Sequence, residues 1–175
     1  EIFGIILSAA GVFLLITLLT YSPDDPNFIF PDNTKINNFF GFRGSFIADL
    51  FFQSIGIISY LFSLTLIITG VNIFRLKEFF LIIENIFYAI IYSIFGTFFL
   101  SHFYSNAFAL YINGNGGFVG NYFNKTFLNS IILINESIFY YILIFLILIL
   151  FLVSINFSPV KFYLSIKKVF NLFFN

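Results

Sequence analysis

The sequence predicts an all-α membrane protein with four transmembrane helices, two amphipathic interfacial helices on the non-cytoplasmic side, and both termini in the cytoplasm. Three observations predict it. Four apolar stretches, at about residues 2–21, 57–74, 86–103 and 138–155, are each long enough for a crossing, since about 30 Å of hydrocarbon calls for about 20 helical residues. The composition is 60% hydrophobic and 9% charged, with mean hydropathy +1.02, whereas an ordinary globular domain is about a quarter charged. A soluble chain of 20.2 kDa has too little interior to bury four such stretches. Finally, the prolines, most of the glycines and nearly all the charges fall between the stretches rather than within them.

The same composition excludes several function classes. Eight basic and eight acidic side chains give zero net charge, so no broad basic field draws nucleic acid to this segment. Cysteine is absent, which removes disulfides, thiolate catalysis and zinc–sulfur sites. Methionine is absent even at position 1, so Glu1 is not expected to be the translation start and the chain is expected to be a piece of something longer. The surplus of Phe, Ile, Asn, Lys and Tyr without Trp resembles the residue bias of an AT-rich genome and weakens any argument from a single Phe or Asn.

The first stretch exceeds the about 7–15 residues of a signal-peptide core and ends in Ser22-Pro23-Asp24-Asp25-Pro26, not a small-x-small cleavage pattern. It reads as a retained helix that stops near Ser22, because Pro23 disfavours helix at the residue before it. Asp24, Asp25, Asp32 and Lys35 mark residues 22–40 as a hydrated loop, since an Asp at mid-membrane costs about 2.5–3.5 kcal/mol. Residues 44–74 are too long for one crossing, at about 46 Å. In their first part Ser45, Asp49 and Gln53 repeat at i+4, opposite Phe46, Ile47, Leu50, Phe51, Ser54 and Ile55. That pattern predicts an interfacial helix over 44–55, with Gly56 turning the chain into the second crossing.

Arg75, Lys77 and Glu78 form a short turn. Glu84 reads first as an interfacial carboxylate snorkelling toward Lys77, and second as an intramembrane functional group. After the third crossing, Asn113-Gly114-Asn115-Gly116-Gly117 leads to a second interfacial helix over 118–131, with Val119, Tyr122, Phe123, Phe127 and Ile131 opposite Asn121, Asn124, Lys125 and Asn129. The fourth crossing follows Asn135-Glu136-Ser137 and stops before Pro159. Residues 1–156 thus form the membrane domain. Residues 157–175 hold Lys161, Lys167 and Lys168 among Phe162, Leu164, Ile166 and Val169, a basic juxtamembrane start of a cytoplasmic linker.

Orientation follows from the basic residues. Arg75, Lys77, Lys161, Lys167 and Lys168 lie on one side; Lys35, Arg43 and Lys125 are spread over longer loops on the other. The positive-inside rule places the former in the cytoplasm. The halves also correspond at an offset of 76: Gly41-Phe42-Arg43-Gly44 matches Gly117-Phe118-Val119-Gly120, and Phe51, Gln53, Ser54 and Ile55 meet Phe127, Asn129, Ser130 and Ile131. This pattern suggests an internal duplication.

Candidate chemistry is sparse. The glycine run from Gly114 fails a dinucleotide fingerprint at Val119, and Lys125-Thr126 fails a P-loop at Asn124. Its glycines read instead as a tight turn admitting positive φ. His102 is the only histidine, at the outer end of the third crossing, and with no Cys or second His to join it in a metal site it reads as an interfacial polar residue. Asn124-Lys125-Thr126 and Asn135-Glu136-Ser137 match the glycosylation sequon, a weak signal in an Asn-rich chain. The four apolar cores carry no carboxylate, which disfavours an enzyme and a transporter alike. No catalytic, cofactor-binding or metal-binding residue is expected. Small residues do line helix faces: Gly4, Ser8 and Gly11; Ser59, Ser63 and Gly70; Ala89, Ser93 and Gly96. Such spacing lets backbones approach in lipid, within one chain in the first reading and between copies in the second. The fourth crossing is nearly all Ile, Leu, Phe and Tyr and is expected to face lipid most.

The loop residues carry a resemblance. Leu19-Thr20-Tyr21-Ser22-Pro23-Asp24-Asp25-Pro26, then Asn38, Gly41, Gly44, Ile47-Ala48-Asp49-Leu50, Gln53 and Gly56, and later Gly116, Gly117 and Gly120, are similar to the N-terminal four-helix membrane domain of the FtsK/SpoIIIE family of bacterial DNA translocases. The resemblance covers essentially the whole chain. Ser45 departs from it, standing where the family commonly has Ala, and the aromatic positions are Phe, never Trp. The family's N-terminal basic segment, linker and motor have no counterpart in these residues. The resemblance implies a septal anchor in the bacterial inner membrane, with the interfacial helices on the periplasmic side. It also implies a homo-oligomer (a hexamer), divisome membrane proteins as partners, and DNA, ATP and Mg engaged only by a C-terminal motor. A small polytopic transporter or channel subunit is the alternative, and a lipid-modifying membrane enzyme a third reading.

Overall fold

The computed structural model describes residues 1–26, 35–105, 113–160, 163 and 167. Among them the chain forms α1 (Ile2–Leu19), α2 (Gly41–Ile55), a 3₁₀ turn (Gly56–Ile58), α3 (Ser59–Leu76), α4 (Leu81–Phe103), α5 (Gly117–Asn124), α6 (Phe127–Ile132) and α7 (Glu136–Ser154), with no strand. Four helical runs are long and apolar enough to cross a membrane. The run Gly41–Leu76 is one of them, but it breaks at Gly56, where φ is +59° and ψ −145°. Only α3, about 27 Å at 1.5 Å per residue, serves as its crossing.

Three boundaries differ from the sequence reading by three residues or more, the first being α2, which starts at Gly41 rather than at residue 44. The helix expected from residue 86 starts at Leu81, taking Glu84 and Asn85 into its first turns; Glu84 stays exposed while Asn85 is fully buried. The single interfacial helix expected over 118–131 is two, α5 and α6. Thr126 takes an extended conformation (φ −94°, ψ 177°) and its hydroxyl accepts from the Leu128 amide, so it caps a new helix rather than continuing the old one. Asp32, Lys161, Phe162, Leu164, Ile166, Lys168 and Val169, assigned above to a loop and a basic tail, lie outside the described residues.

Packing pairs α1 with α3 and α4 with α7, and α3 against α4 joins the pairs. Lipid tails are as apolar as Leu, so helices associate through close fit and hydrogen bonds. Small residues supply that fit on α1 and α3. A Cβ added to Gly70 would lie 2.5 Å from the Gly4 carbonyl oxygen, and one on Gly11 would lie 2.8 Å from the Ile67 nitrogen. Ser8 Oγ donates to the Ile67 carbonyl at 3.0 Å, and Tyr60 Oη to the Leu18 carbonyl at 3.1 Å. Ser59 and Ser63 are buried, their hydroxyls donating to the carbonyls of Gly56 and Tyr60. On α4, Ala89 and Ser93 are buried and Gly96 faces the Ile58 side chain. On α7 only Leu143 and Ser154 are buried, leaving Tyr141 and Phe145 outward.

The bundle has two distinct ends. At one, α1 and α4 finish, α3 and α7 begin, and α2, α5 and α6 pack together. At the other, Lys77 meets Glu1 across 2.9 Å in an exposed pair.

Candidate functional site: two loop knots over the bundle

The first knot is built by the Ser22–Pro26 segment (residues 22–26) folding back on α2. Pro23 and Asp24 make a turn closed by the Asp25 amide on the Ser22 carbonyl at 3.1 Å. The sequence reading makes Asp25 a hydrated loop residue, yet it is buried. Its two carboxylate oxygens accept the Asn37 and Asn38 amides at 2.7 and 2.8 Å, and such charge-assisted bonds replace the lost water. Asn38 in turn donates from Nδ2 to the carbonyls of Thr17 (2.9 Å) and Thr20 (3.4 Å), closing the last turn of α1. Gly44 sits against Asn38 Oδ1 with no room for a Cβ.

The polar stripe of α2 faces this knot rather than water. Ser45 and Asp49 are buried, Ser45 Oγ donating to the Pro26 carbonyl at 2.8 Å. Asp49 Oδ1 accepts from Tyr21 Oη at 3.2 Å and Gln53 Nε2 at 3.3 Å. Burial of the phenol, then the Asp49 charge, pushes Tyr21 above the ordinary tyrosine range, so its donor proton is firmly held. Ala48 is fully buried and packs with Leu14, Leu18 and Phe52.

The second knot joins the end of α2 to the start of α5. The Ile57 amide donates to the Asn115 carbonyl at 3.0 Å, and Asn113 meets Gln53 twice, its amide on Oε1 at 3.1 Å and its Nδ2 on the carbonyl at 3.3 Å. Gly56 and Gly117 allow this contact. A Cβ on Gly117 would stand 2.6 Å from the Ser54 carbonyl oxygen, and one on Gly56 would overlap the Asn115 carbonyl. Gly116 and Gly120 press against the Thr97 carbonyl. Ser101 Oγ donates to Asn121 Oδ1 at 2.7 Å, whose Nδ2 donates to the Asn113 carbonyl at 2.8 Å. Beside this knot His102 Nδ1 lies 3.4 Å from Asn124 Oδ1, and Nε2 lies 4.0 Å from Glu136.

One polar set escaped the sequence reading. Deep between α3, α4 and α7, Thr65 Oγ1 lies 2.9 Å from Tyr92 Oη and 3.2 Å from Ser154 Oγ. Asn85 Nδ2 donates to Thr69 Oγ1 at 2.9 Å and to Asn156 Oδ1 at 2.8 Å, while Asn72 Nδ2 reaches the Ile155 carbonyl at 3.3 Å. The signal was available: Thr65, Thr69 and Asn72 recur at i, i+4 and i+7 on one face of α3.

The hydrogen bonds these groups make tie the loops to the helix ends. Both Asp25 oxygens accept from backbone amides, and Asp49 Oδ1 accepts from a phenol and a side-chain amide. Among the described residues no three His, Asp or Glu side chains converge to hold a metal. Such a four-crossing helical bundle, with its distinctive residues in knotted loops at one end, is a polytopic membrane domain. The chain belongs to the family described as the 4TM region of DNA translocase FtsK/SpoIIIE, whose model matches residues 1–167. No curated protein and no solved structure matches it.

Proposed function

We propose that this domain is the membrane anchor and assembly domain of a septal DNA translocase acting in cell division and chromosome segregation. The observation that carries the reading is the family match across residues 1–167. Several residues that carry the family resemblance, among them Asp25, Asn38, Gly44, Asp49, Gln53, Gly56, Gly116, Gly117 and Gly120, tie the two loop knots. On this reading the domain is multi-pass in the bacterial inner membrane, with the knots periplasmic and both termini cytoplasmic. It has no catalytic role and binds no cofactor of its own. It assembles as a homo-oligomer beside other divisome membrane proteins. ATP, Mg and DNA belong to a C-terminal motor.

Two measurements test it in the full-length protein. Topology reporters inserted after Pro31 and after Gly117 should report the periplasm, and one after Lys77 the cytoplasm; the reverse pattern overturns the orientation. Replacing residues 1–156 with an unrelated four-helix anchor should disperse a fluorescent fusion from the septum and leave chromosomes trapped there. Septal foci and normal segregation with the foreign anchor would overturn the assembly role.

A further inference from the structure

Where α4 ends and α7 begins, Phe103, Glu136, Ser137, Tyr140 and Tyr141 line an open pocket of about 240 Å³. Glu136 and Ser137 precede the apolar run of α7, so the pocket opens at the boundary between hydrocarbon and water, the depth of lipid headgroups. Phe103 and Tyr140 meet at 88° with ring centroids 5.2 Å apart, and Tyr140 and Tyr141 at 87° and 5.4 Å. The three rings therefore adjoin as walls of a box rather than stacking. Two of the walls are fixed in advance. Tyr140 Oη lies 2.7 Å from Tyr104 Oη, and the rings of Phe103 and Tyr140 both pack on Phe99, at 5.2 and 5.3 Å. The third wall, Tyr141, is exposed on the open side.

Charge and coordination select the class of ligand. The exposed Glu136 carboxylate repels anions. Among the described residues its partner is His102 Nε2, 4.0 Å away and beyond hydrogen-bond range, so the carboxylate oxygens keep their acceptor capacity. Hard metal cations such as calcium take about six to eight oxygen ligands, and among the described residues no three His, Asp or Glu side chains converge. The C-terminus of α4 lies at the same end of the bundle as the N-terminus of α7, so the partial charges of the two helix ends offset each other and the carboxylate dominates. What remains is a cation that needs few oxygen ligands and gains from aromatic rings. An ammonium carried on carbon is such a cation, attracted by the ring quadrupole within about 6 Å of the centroid.

We propose that this pocket binds an organic ammonium group, with the cation against the Tyr140 and Tyr141 rings and Glu136 as its counter-charge. Two sources carry that group: the ethanolamine headgroup of a bilayer phospholipid and a free quaternary ammonium solute. The site rests on the membrane fold and is independent of the septal reading.

The test uses the chain in nanodiscs with isotopically labelled tyrosine, the Tyr140 ring resonances serving as reporter. In phosphatidylglycerol discs, which carry no ammonium, tetramethylammonium chloride should shift them saturably, and sodium chloride at equal ionic strength should not. Tyr141→Leu keeps an apolar side chain at an exposed position but removes one ring, and should weaken binding about fivefold, the size of one exposed cation–π contact. Tyr141→Phe restores the ring and should bind as wild type does. Glu136→Gln, also at an exposed position, should weaken binding by a similar factor. Adding phosphatidylethanolamine separates the sources. Shifted Tyr140 resonances and competition with tetramethylammonium assign the site to the lipid headgroup, and tetramethylammonium binding that ethanolamine lipid leaves unchanged assigns it to a soluble ammonium. Equal responses to both salts, or a Tyr141→Leu protein that binds as tightly as wild type, would reduce these rings to interfacial anchors and overturn the site.

Discussion

Gly70→Ala is the smallest change that probes what holds α1 to α3. The new methyl would lie 2.5 Å from the Gly4 carbonyl oxygen and 2.5 Å from the Ser8 nitrogen, where ordinary contact begins at 3.4 Å. Both neighbours are backbone, so the helices must part by about 0.9 Å at that level, and the Ser8 Oγ to Ile67 bond of 3.0 Å is stretched beyond bonding range. Overpacking costs about 1–3 kcal/mol, and an interhelical hydrogen bond in a membrane is worth about 0.6 kcal/mol on average. The expected destabilisation is about 2–4 kcal/mol. Reversible unfolding in mixed micelles measures it, with Ala10→Leu on the exposed side of α1 as the control, expected within about 0.5 kcal/mol of wild type. A Gly70→Ala protein as stable as that control would refute the close-packed seam. The same geometry bears on Gly11→Ile, a substitution on a small-residue face that the sequence leaves open to contacts between copies. Its side chain would strike the Ile67 backbone nitrogen, 2.8 Å from the first added carbon, so weakened self-association would report an opened chain before a lost interface between copies.

Two further expectations concern the first knot. Asp25→Asn leaves one amide facing an NH₂ group instead of an oxygen, and should cost about 1.5–3 kcal/mol, read as faster hydrogen exchange at the Asn37 and Asn38 amides; unchanged exchange would show that the carboxylate does not hold the loop. Tyr21→Phe tests the raised phenol pKa. The folded state keeps a proton that the unfolded chain releases near pH 10, so stability from this group is fully present below that pH and falls as pH rises through it. The wild-type advantage over Tyr21→Phe should therefore be flat from about pH 7 to 9 and shrink above about pH 10. A growing advantage above that pH would reverse the assignment.

The crossings were legible because length and apolarity suffice to define a helix in lipid, and Gly56 was legible as a turn because the run was too long without one. Asp25 was not. Its hydration cost was read residue by residue, whereas the amides that satisfy it, from Asn37 and Asn38, gather only when the loop closes. The polar seam was missed for a similar reason: Thr65 and Ser154 are 89 residues apart, and in an Asn-rich chain no single Asn or Thr stands out. Thr126 hid in plain view, since a capping threonine inside an amphipathic pattern reads as one more polar-face residue.

The correspondence of the halves has a physical counterpart. Gly41 and Gly117, 76 residues apart, both take positive φ, +63° and +64°, opening α2 and α5 in the same way. Thr17 and Thr97, 80 residues apart and so about one helical turn out of that register, are each fully buried and each donate to the carbonyl three residues back, at 2.7 and 2.9 Å. The halves then diverge. Gly120 rests directly on the Thr97 carbonyl, whereas Gly44 rests on Asn38, and Asn38 holds the Thr17 carbonyl. An extra side chain therefore stands between α2 and α1 where α5 touches α4 directly.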